Sequence, residues 1–219
     1  MPAKTTGRTS ASKSALLDEQ LTPPQANLLR HAYHLIGERG VHRVALEDIA
    51  ERAGVSKGLL LYYFKTKENL VLSTMRWALS ATAGRIRHAM AAAHSPEAKV
   101  LAMIDAIWIG AETNRGFYLT YVDLAAHAAR NESFTALSAT FHSIVDALYA
   151  DAVREGVAAG AFAVDDVDEA ATVVRAVIDG LFLQWMQDRA WRRRHETYRG
   201  VCKRAVLAYL SRPAGTPAA

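Results

Sequence analysis

The sequence predicts an all-α protein, in which short N-terminal helices are joined by one long helix to a larger C-terminal helical bundle. Two observations support this fold class. Apolar residues recur every three or four positions along most of the chain, which is the spacing of one face of an α-helix. No series of strand-like alternations and no internal repeat is present.

Composition sets the first limits on function. Of 219 residues, 51% are apolar, enough for a sizeable core. The single cysteine, Cys202, excludes an intramolecular disulfide and a multi-cysteine zinc site, and fits a reducing compartment. Asp105 interrupts the best apolar stretch, so no run would span a bilayer, and the N-terminus lacks the apolar core of a secretion signal. We therefore expect a cytoplasmic protein.

The excess positive charge is confined to the N-terminal third. Residues 1–76 carry 11 Lys and Arg against 7 Asp and Glu, whereas residues 77–219 carry 15 of each. A polyanion-binding N-terminal region beside a neutral body would explain this distribution. A chance fluctuation of a few charges would explain it equally well.

The first helix is predicted to begin near Thr22, which is followed by two prolines, and to end at Gly40. Its buried stripe is Leu28, Ala32, Leu35 and Ile36. A second short helix ends at Gly54, and its apolar face is Leu46, Ile49, Ala50 and Ala53. Ser56 caps a third helix that reaches Phe64. Thr66 caps a fourth, long helix that continues toward residue 93, and the bundle helices follow at 96–113, 117–130, 132–159, 167–188 and 193–210.

Residues 46–64 have the pattern of a helix-turn-helix. Two short helices that cross steeply need small residues at their contact, which Ala50 and Ala53 provide, and the turn needs a glycine, which is Gly54. Three apolar residues then anchor the second of these helices: Val55, Leu60 and Phe64. At 100° per residue the opposite face carries Gly58, Leu59 and Tyr62, flanked by Lys57, Leu61 and Tyr63. Such a helix is suited to enter a major groove of DNA.

The same stretch resembles the N-terminal domain of TetR-family regulators. The resemblance rests on Ile49-Ala50-Glu51-Arg52-Ala53-Gly54-Val55-Ser56, on Tyr63-Phe64 and on Lys67-Glu68-Asn69-Leu70, and it covers about residues 22–75. It implies that phosphates or bases of double-stranded DNA are contacted by Ser56, Lys57, Gly58, Leu59, Tyr62, Tyr63 and Lys67. Arg43, just before the second helix, is either a minor-groove contact or a solvated side chain.

Two residues depart from the family pattern. Ala45 stands where a threonine commonly caps the second helix, and Leu61 stands where a tyrosine is frequent. Each departure removes a phosphate donor, although Leu61 could contact a thymine methyl group. The departures therefore leave open which operator sequence is bound and how tightly, and they do not change the predicted fold.

We predict four segments: a flexible arm at 1–21, a helix-turn-helix domain at 22–67, a helical ligand-binding and dimerisation domain at 68–212, and a tail at 213–219. The predicted helix at 132–159 has one apolar stripe, whereas the helix at 167–188 is apolar around most of its circumference and therefore needs cover on several sides. The resemblance implies a homodimer formed through them, with the candidates Phe141, Val145, Leu148, Val174, Ile178, Leu181 and Trp185. A helix fully internal to one chain is the alternative.

Aromatic and methionine side chains are candidates for a small-molecule pocket, although most such residues in proteins belong to the core. They are Trp77, Met103, Trp108, Phe117, Tyr118, Tyr121, Phe134 and Met186. This lining favours an apolar effector or a cationic one, the latter bound through cation–π contacts. The segment Ile178-Asp179-Gly180-Leu181 resembles, more distantly, the branch of regulators that govern betaine synthesis from choline.

The function that follows is that of a ligand-responsive repressor, which binds a near-palindromic operator as a dimer and is released by a small molecule. An activator and an effector-independent architectural DNA-binding protein remain open. No phosphate-binding loop, carboxylate pair or partnered nucleophile is evident, so we expect no enzyme and no cofactor. The histidines are scattered, and we expect no metal site: His88, His94, His127, His142 and His195.

Overall fold

A computed structural model describes residues 21–128 and 132–211, and the predicted arm and tail lie outside them, apart from Leu21. Over the described residues the chain forms nine α-helices and a short 3-10 helix at Val41–Arg43, with no strand, so the predicted all-α class is confirmed. The helices are α1 (Pro23–Arg39), α2 (Leu46–Ala53), α3 (Lys57–Phe64), α4 (Lys67–Ala91), α5 (Pro96–Ile107), α6 (Ala111–Ala128), α7 (Glu132–Ala158), α8 (Val167–Gln187) and α9 (Trp191–Leu210).

Packing divides the chain into two compact units. Among the described residues, the first combines those up to Ala81 with those of Gly116–Ile144, and the second combines Thr82–Arg115 with those from Val145 onward. The boundary predicted at residue 67 concerns function rather than packing, and it stays a prediction. None of the described helices is long and apolar enough to cross a membrane.

The start of α1 is fixed by its own side chains. The backbone N–H of Thr22 donates to Oε1 of Gln25 at 2.9 Å, and two prolines fill the opening positions, where a backbone N–H has no partner within the helix. At the other end, Gly40 has φ 83°, a value that favours glycine, and its N–H donates to the carbonyl of Ile36. The buried face is the predicted stripe together with Leu29.

In the first unit, α1 and α6 approach closely. A Cβ atom on Gly37 would lie 3.0 Å from Oγ1 of Thr120 and 3.4 Å from the carbonyl oxygen of Gly116. The backbone N–H of Val41, just after α1, donates to Oδ2 of Asp123 at 2.6 Å. The C-terminal end of α1 is thus held against α6 by both packing and a hydrogen bond to a charged acceptor.

The second unit is built around stacked aromatic rings. The rings of Trp108 and Phe182 are nearly parallel, with centroids 3.7 Å apart, and Trp185 meets the Trp108 ring edge-on. All three side chains are buried. The ring of His195 lies 5.3 Å from both tryptophans. This cluster packs the residue that follows α5, Trp108, against α8 and α9.

The break between α5 and α6 lies earlier than predicted. The first of these helices ends at Ile107 rather than residue 113, and the next begins at Ala111 rather than residue 117. The buried side chain of Asn114 explains the position, because its amide donates to the carbonyl of Ile107 at 2.7 Å and its oxygen accepts from Gly110 N–H at 3.1 Å. Since His195 Nε2 lies 2.9 Å from the same oxygen, a residue 81 positions away helps to set this helix boundary.

Candidate nucleic-acid interface

The turn between α2 and α3 has the geometry that the helix-turn-helix pattern predicts. Gly54 adopts the left-handed conformation, with φ 67° and ψ 33°, and the next N–H, of Val55, donates to the carbonyl of Ala50 at 2.9 Å. The hydroxyl of Ser56 then accepts from the N–H of Leu59 at 3.2 Å and caps α3. Ile49 and Ala50 are buried. The small side chain of Ala50 thus belongs to the core that α2 shares with its neighbours.

The α3 helix presents its predicted faces. Leu60 and Phe64 are buried, whereas the opposite face is open to solvent. Tyr62 is 68% exposed, an unusual value for an aromatic side chain. The remaining predicted contacts on this helix are exposed or half-buried: Lys57, Gly58, Leu59 and Tyr63.

The start of α2 compensates for the absent threonine. The N–H of Ala45 donates to Oδ2 of Asp48 at 2.7 Å, so a carboxylate three residues later satisfies a donor at the helix start. The same carboxylate accepts from Arg39 at 3.2 Å. The departure at residue 45 therefore leaves the helix capped, although the hydroxyl that would reach a phosphate is absent.

A shallow surface groove runs along the start of α2. It is lined by the backbone and side chains of His42, Arg43, Val44, Ala45, Leu46, Glu47 and Lys67. Arg43 is exposed and Lys67 half-buried, so two of the predicted DNA-contacting cations meet here. Thr66 caps α4 as predicted, since its hydroxyl accepts from the N–H of Asn69 at 3.1 Å. Arg43, Lys67 and a helix N-terminus favour an anion in this groove, whereas the Glu47 carboxylate, which also lines it, opposes one.

The sequence reasoning missed one charged residue at this surface. Nζ of Lys57, at the start of α3, donates to Oε1 of Glu47 at 2.5 Å, and their side chains are 49% and 62% exposed. The hydrogen bond from Lys57 holds the pKa of the Glu47 carboxyl below its usual range. Glu47 lies near the start of α2. An acidic residue at a helix start is ordinarily explained by its favourable interaction with the helix dipole, so the sequence alone gives no reason to select it.

Four of the predicted pocket residues gather in the first unit. The rings of Phe117 and Tyr121 are nearly parallel, with centroids 6.1 Å apart, and Tyr118 contacts both edge-on. The fourth, Trp77, meets the Tyr33 ring at 5.8 Å. A small apolar cavity, with free space for about one water molecule, is lined by Tyr33, Met75, Ala78, Leu79, Phe117, Thr120 and Tyr121.

Tyr33, Met75 and Thr120 were absent from the predicted lining. Tyr33 lies in α1, so its place at this cavity depends on a tertiary contact that no local pattern reveals. Of the predicted pocket residues, Phe117 and Tyr121 line this cavity, whereas Trp77 and Tyr118 contact its lining residues. Met103 and Trp108 are buried in the second unit, where Met186 is half-buried, and the side chain of Phe134 lies outside the described residues.

The predicted dimer residues divide into two groups. Val145, Val174, Ile178 and Trp185 are buried within their own chain, so they have no surface left for a partner to cover. These four residues therefore pack inside their own chain, which is the alternative to a dimer contact. Leu148 and Leu181 are half-buried and stay candidates, and the side chain of Phe141 lies outside the described residues.

The outer face of α8, opposite its buried stripe, offers a surface that the sequence reasoning did not select. Leu183 is 43% exposed there, and Ala176 and Gly180 share its face at helical spacing. A Cβ atom on Gly180 would meet nothing within 4 Å, so packing within the chain does not require glycine there. Glycine weakens a helix interior by about 1 kcal/mol relative to alanine.

Comparison with known proteins gives one family match near the N-terminus and a second match over the C-terminal half of the chain. Residues 28–74 match the family of bacterial regulatory proteins described as the tetR family, and residues 96–211 match the C-terminal domain described as that of a BetI-type transcriptional repressor. The transcriptional repressor KstR2 of Rhodococcus jostii is 27% identical over 183 residues, which cover 78% of this chain and 83% of that protein.

A further relative and a solved structure agree with these matches. The transcriptional regulator BetI of Rhizobium meliloti is 29% identical over 160 residues, which cover 72% of this chain and 75% of the relative. A transcriptional regulator from Saccharomonospora viridis, crystallised with choline, superposes with a TM-score of 0.76 at 22% identity, covering 83% of this chain and 94% of the other. This last similarity shows the shared fold.

The BetI-type match spans more than half of the chain, and the helix-turn-helix described above lies inside the tetR-family match. The chain therefore belongs to the TetR family of bacterial transcription regulators and carries a BetI-type C-terminal domain.

Proposed function

We propose that this protein is a ligand-responsive transcriptional repressor, which binds a near-palindromic operator as a homodimer in the cytoplasm and is released by a small molecule. The observation that carries the proposal is the open outer face of α3. Its N-terminus is capped by Ser56, its inner face is anchored in the core, and Tyr62 on its outer face is 68% exposed. A helix so presented supplies base contacts from its first turns and phosphate contacts from its flanks.

The groove beside α2 supports a phosphate contact. Arg43 and Lys67 line it, and Lys67 begins α4. A phosphate seated there would meet both cations and the partial positive charge of helix N-termini. Phosphate contacts of this kind fix the position of a protein on the duplex, while Lys57, Leu59 and Tyr62 reach toward base edges.

A homodimer would place two such helices in successive major grooves, about 34 Å apart along the DNA. The outer face of α8 supports this assembly, because Ala176 and Gly180 would allow another helix to approach closely and Leu183 would lose exposed apolar surface. Leu148 and Leu181 can contribute at its margins. The expected solution mass is twice the 23.9 kDa of one chain.

The aromatic cavity of the first unit supports a small-molecule effector, which would have to widen it, because the cavity now has free space for about one water molecule. Its lining combines the rings of Tyr33, Phe117 and Tyr121 with the hydroxyl of Thr120, a combination suited to a compact cation or an apolar molecule. A related regulator of the same fold has been crystallised with choline. Choline is therefore the first probe, and binding would shift the population of the protein away from its DNA-competent arrangement.

The first experiment captures sheared genomic DNA with the purified protein and sequences the recovered fragments. Enrichment of a few palindromic sites near promoters supports a specific regulator. Broad recovery without a shared motif indicates an architectural binder instead. Transcription from a promoter carrying the recovered site then separates a repressor from an activator, since repression requires the transcript level to rise when the protein is removed.

The second experiment titrates the operator complex with choline and with 3,3-dimethyl-1-butanol, its neutral isostere. Release by choline alone supports a cationic effector, and release by both supports an apolar one. If neither compound weakens DNA binding, the genes beside the recovered sites suggest the next compounds. A Phe117→Ala variant that responds like the wild type would contradict the assignment of this cavity as the effector site.

A further inference from the structure

The outer face of α3 and the start of α2 form the surface proposed to meet DNA, here called the reading surface, and Glu47 on it has no role in the proposed function although it pairs with Lys57. Nζ of Lys57 lies 2.5 Å from Oε1 of Glu47, and the pair joins the start of α2 to the first residue of α3. Both side chains are about half exposed. If the outer face of α3 faces DNA, this carboxylate faces DNA as well.

Stabilising the fold is a weak explanation for Glu47. Ion pairs this exposed contribute little to stability. The start of α2 already has a carboxylate that accepts a backbone N–H, that of Asp48, which also pairs with Arg39. Glu47, a second acid in this turn, adds only a small favourable interaction with the helix dipole. Glu51 lies one turn later in α2, where this interaction is lost.

For DNA binding in general, a carboxylate at this position is unfavourable. It repels phosphates, and it neutralises Lys57, one of the cations expected to attract them. A carboxylate can compensate for this repulsion where it accepts a hydrogen bond from a base. In the major groove that donor is best supplied by the N4 amino group of cytosine.

We propose that Glu47 is a specificity-determining residue, which together with Lys57 reads one G·C base pair in each half of the operator. In a G·C pair the O6 and N7 acceptors of guanine lie beside the N4 donor of cytosine. An adjacent ammonium and carboxylate match this order, with Lys57 donating to guanine and Glu47 accepting from cytosine. An A·T pair presents its donor between two acceptors and matches less well.

This inference rests on the proposed function, and one experiment can separate their failures. Wild type, Glu47→Gln and Glu51→Gln are each used to select duplexes from a library of randomised DNA, and their melting temperatures are compared to confirm folding. Glu51 lies on the same helix and is exposed, so its replacement makes the same change in charge. Affinity for a duplex of unrelated sequence is measured in parallel at several salt concentrations.

The expected result is that the wild type and Glu51→Gln select the same motif, whereas Glu47→Gln loses the G·C preference at one position of each half-site. Because glutamine pairs with adenine, that position should shift toward A·T. We also expect Glu47→Gln to bind unrelated DNA several-fold more tightly than the wild type. An unchanged motif for folded Glu47→Gln overturns the inference, whereas a wild type that selects no motif overturns the proposed function.

Discussion

The backbone N–H of Val41 donates to a carboxylate oxygen of Asp123 at 2.6 Å, across 82 residues of sequence. Val41 is buried at the start of the short 3-10 helix that follows α1. Asp123 belongs to the segment of α6 that also supplies Phe117, Thr120 and Tyr121 to the aromatic cavity. The residues that line the cavity and the residue that holds the helix-turn-helix region are thus neighbours on one helix. A ligand that moves this segment would act directly on that hydrogen bond.

Replacing Asp123 with alanine should therefore destabilise the protein by about 1–3 kcal/mol, because a buried backbone N–H loses its partner. DNA affinity should fall as well, since the turn before α2 is no longer fixed. Chemical denaturation and a DNA titration measure the two effects. Asp123→Asn keeps an acceptor oxygen and should retain most of the stability and most of the DNA affinity. Equal loss in the two variants would mean that the hydrogen bond is not the reason for the effect.

Lys65 has an unfavourable backbone conformation. It links α3 and α4 with φ 66° and ψ −47°, and the N–H of Thr66 donates to the carbonyl of Phe64 at 2.8 Å, which together form a γ-turn. Such a conformation is strained for any residue with a side chain. Lys65→Gly should stabilise the protein by about 1 kcal/mol after the entropy of the unfolded glycine is included.

The matched control is Lys65→Ala, which removes the side chain beyond Cβ and, by keeping Cβ, keeps the strain. It also removes the exposed hydrogen bond from Nζ to the carbonyl of Tyr62, at 2.8 Å. Denaturation curves should give the glycine variant a larger free energy of unfolding than the wild type. The alanine variant should have a free energy of unfolding equal to or smaller than that of the wild type. If alanine stabilises as much as glycine, the lysine side chain rather than the backbone is unfavourable.

Gly156 cannot accept a side chain without rearrangement. A Cβ atom there would lie 1.9 Å from the ring of Phe162, which is buried, and the carbonyl of Gly156 accepts from the N–H of Phe162 at 3.1 Å. We expect Gly156→Ala to cost about 1–3 kcal/mol by overpacking. Gly84→Ala is the control, because a Cβ atom there meets nothing within 4 Å, and it should stabilise by about 1 kcal/mol. A Phe162→Leu second substitution should partly restore the Gly156→Ala variant.

Asp179 should make stability depend on pH. Burial raises the pKa of its carboxyl from 3.8 to about 6, against the opposing effect of the Arg175 guanidinium, with a further increase from Asp146. Below about pH 4 the group is protonated in both the folded and the unfolded chain. Between about pH 4 and pH 6 the unfolded chain has lost this proton while the folded chain still holds it, so the free energy of unfolding falls over this range and levels off above it.

The variant Asp179→Asn removes this penalty. It should match the wild type near pH 4 and exceed its stability by about 1–2 kcal/mol above pH 7, a value reduced from the full shift because the group is partly exposed. Urea denaturation at a series of pH values measures the difference. A constant difference at all pH values would mean that titration of this carboxyl is not its cause.

The sequence predicted the helices whose ends are determined locally. Gly54 and Ser56 cap their helices through contacts within five residues, so propensity and spacing were sufficient. The break after Ile107 was missed because Asn114 and His195, which fix it, meet only in the folded chain. Local rules cannot supply a partner 81 residues away.

The candidate sites also differ in whether local sequence or tertiary contacts determine them. The outward face of α3 follows from helical geometry once the buried anchors are chosen, and Tyr62 is exposed as that geometry requires. Apolar spacing alone does not distinguish a residue that faces a partner from one in the core. That is why the stripe containing Val174 and Ile178 was assigned to a dimer although both residues are buried in their own chain.

The phosphate and base contacts can be separated by their salt dependence. Replacing Lys67 with glutamine, or Tyr63 with phenylalanine, should weaken binding to all DNA sequences, because each change removes a group expected to contact a phosphate. For Lys67→Gln the slope of log K against log salt concentration should become shallower by about 0.9, the value for one phosphate contact of a cation. Tyr63→Phe should lower affinity without changing this slope, since the hydroxyl is uncharged.

Replacing Lys57 or Leu59 should instead change which sequences are bound. Lys57 begins α3 and Leu59 lies two residues later, in the turn of the helix expected to meet base edges. Lys99→Gln, which makes the same charge change in the second unit, is the control and should leave both slope and motif as they are. Unchanged affinity and motif in all four reading-surface variants, with their folds intact, would exclude this surface as the DNA interface. A shallower slope for Lys67→Gln together with an altered motif for Leu59→Ala would instead assign phosphate contact to the groove and base contact to α3.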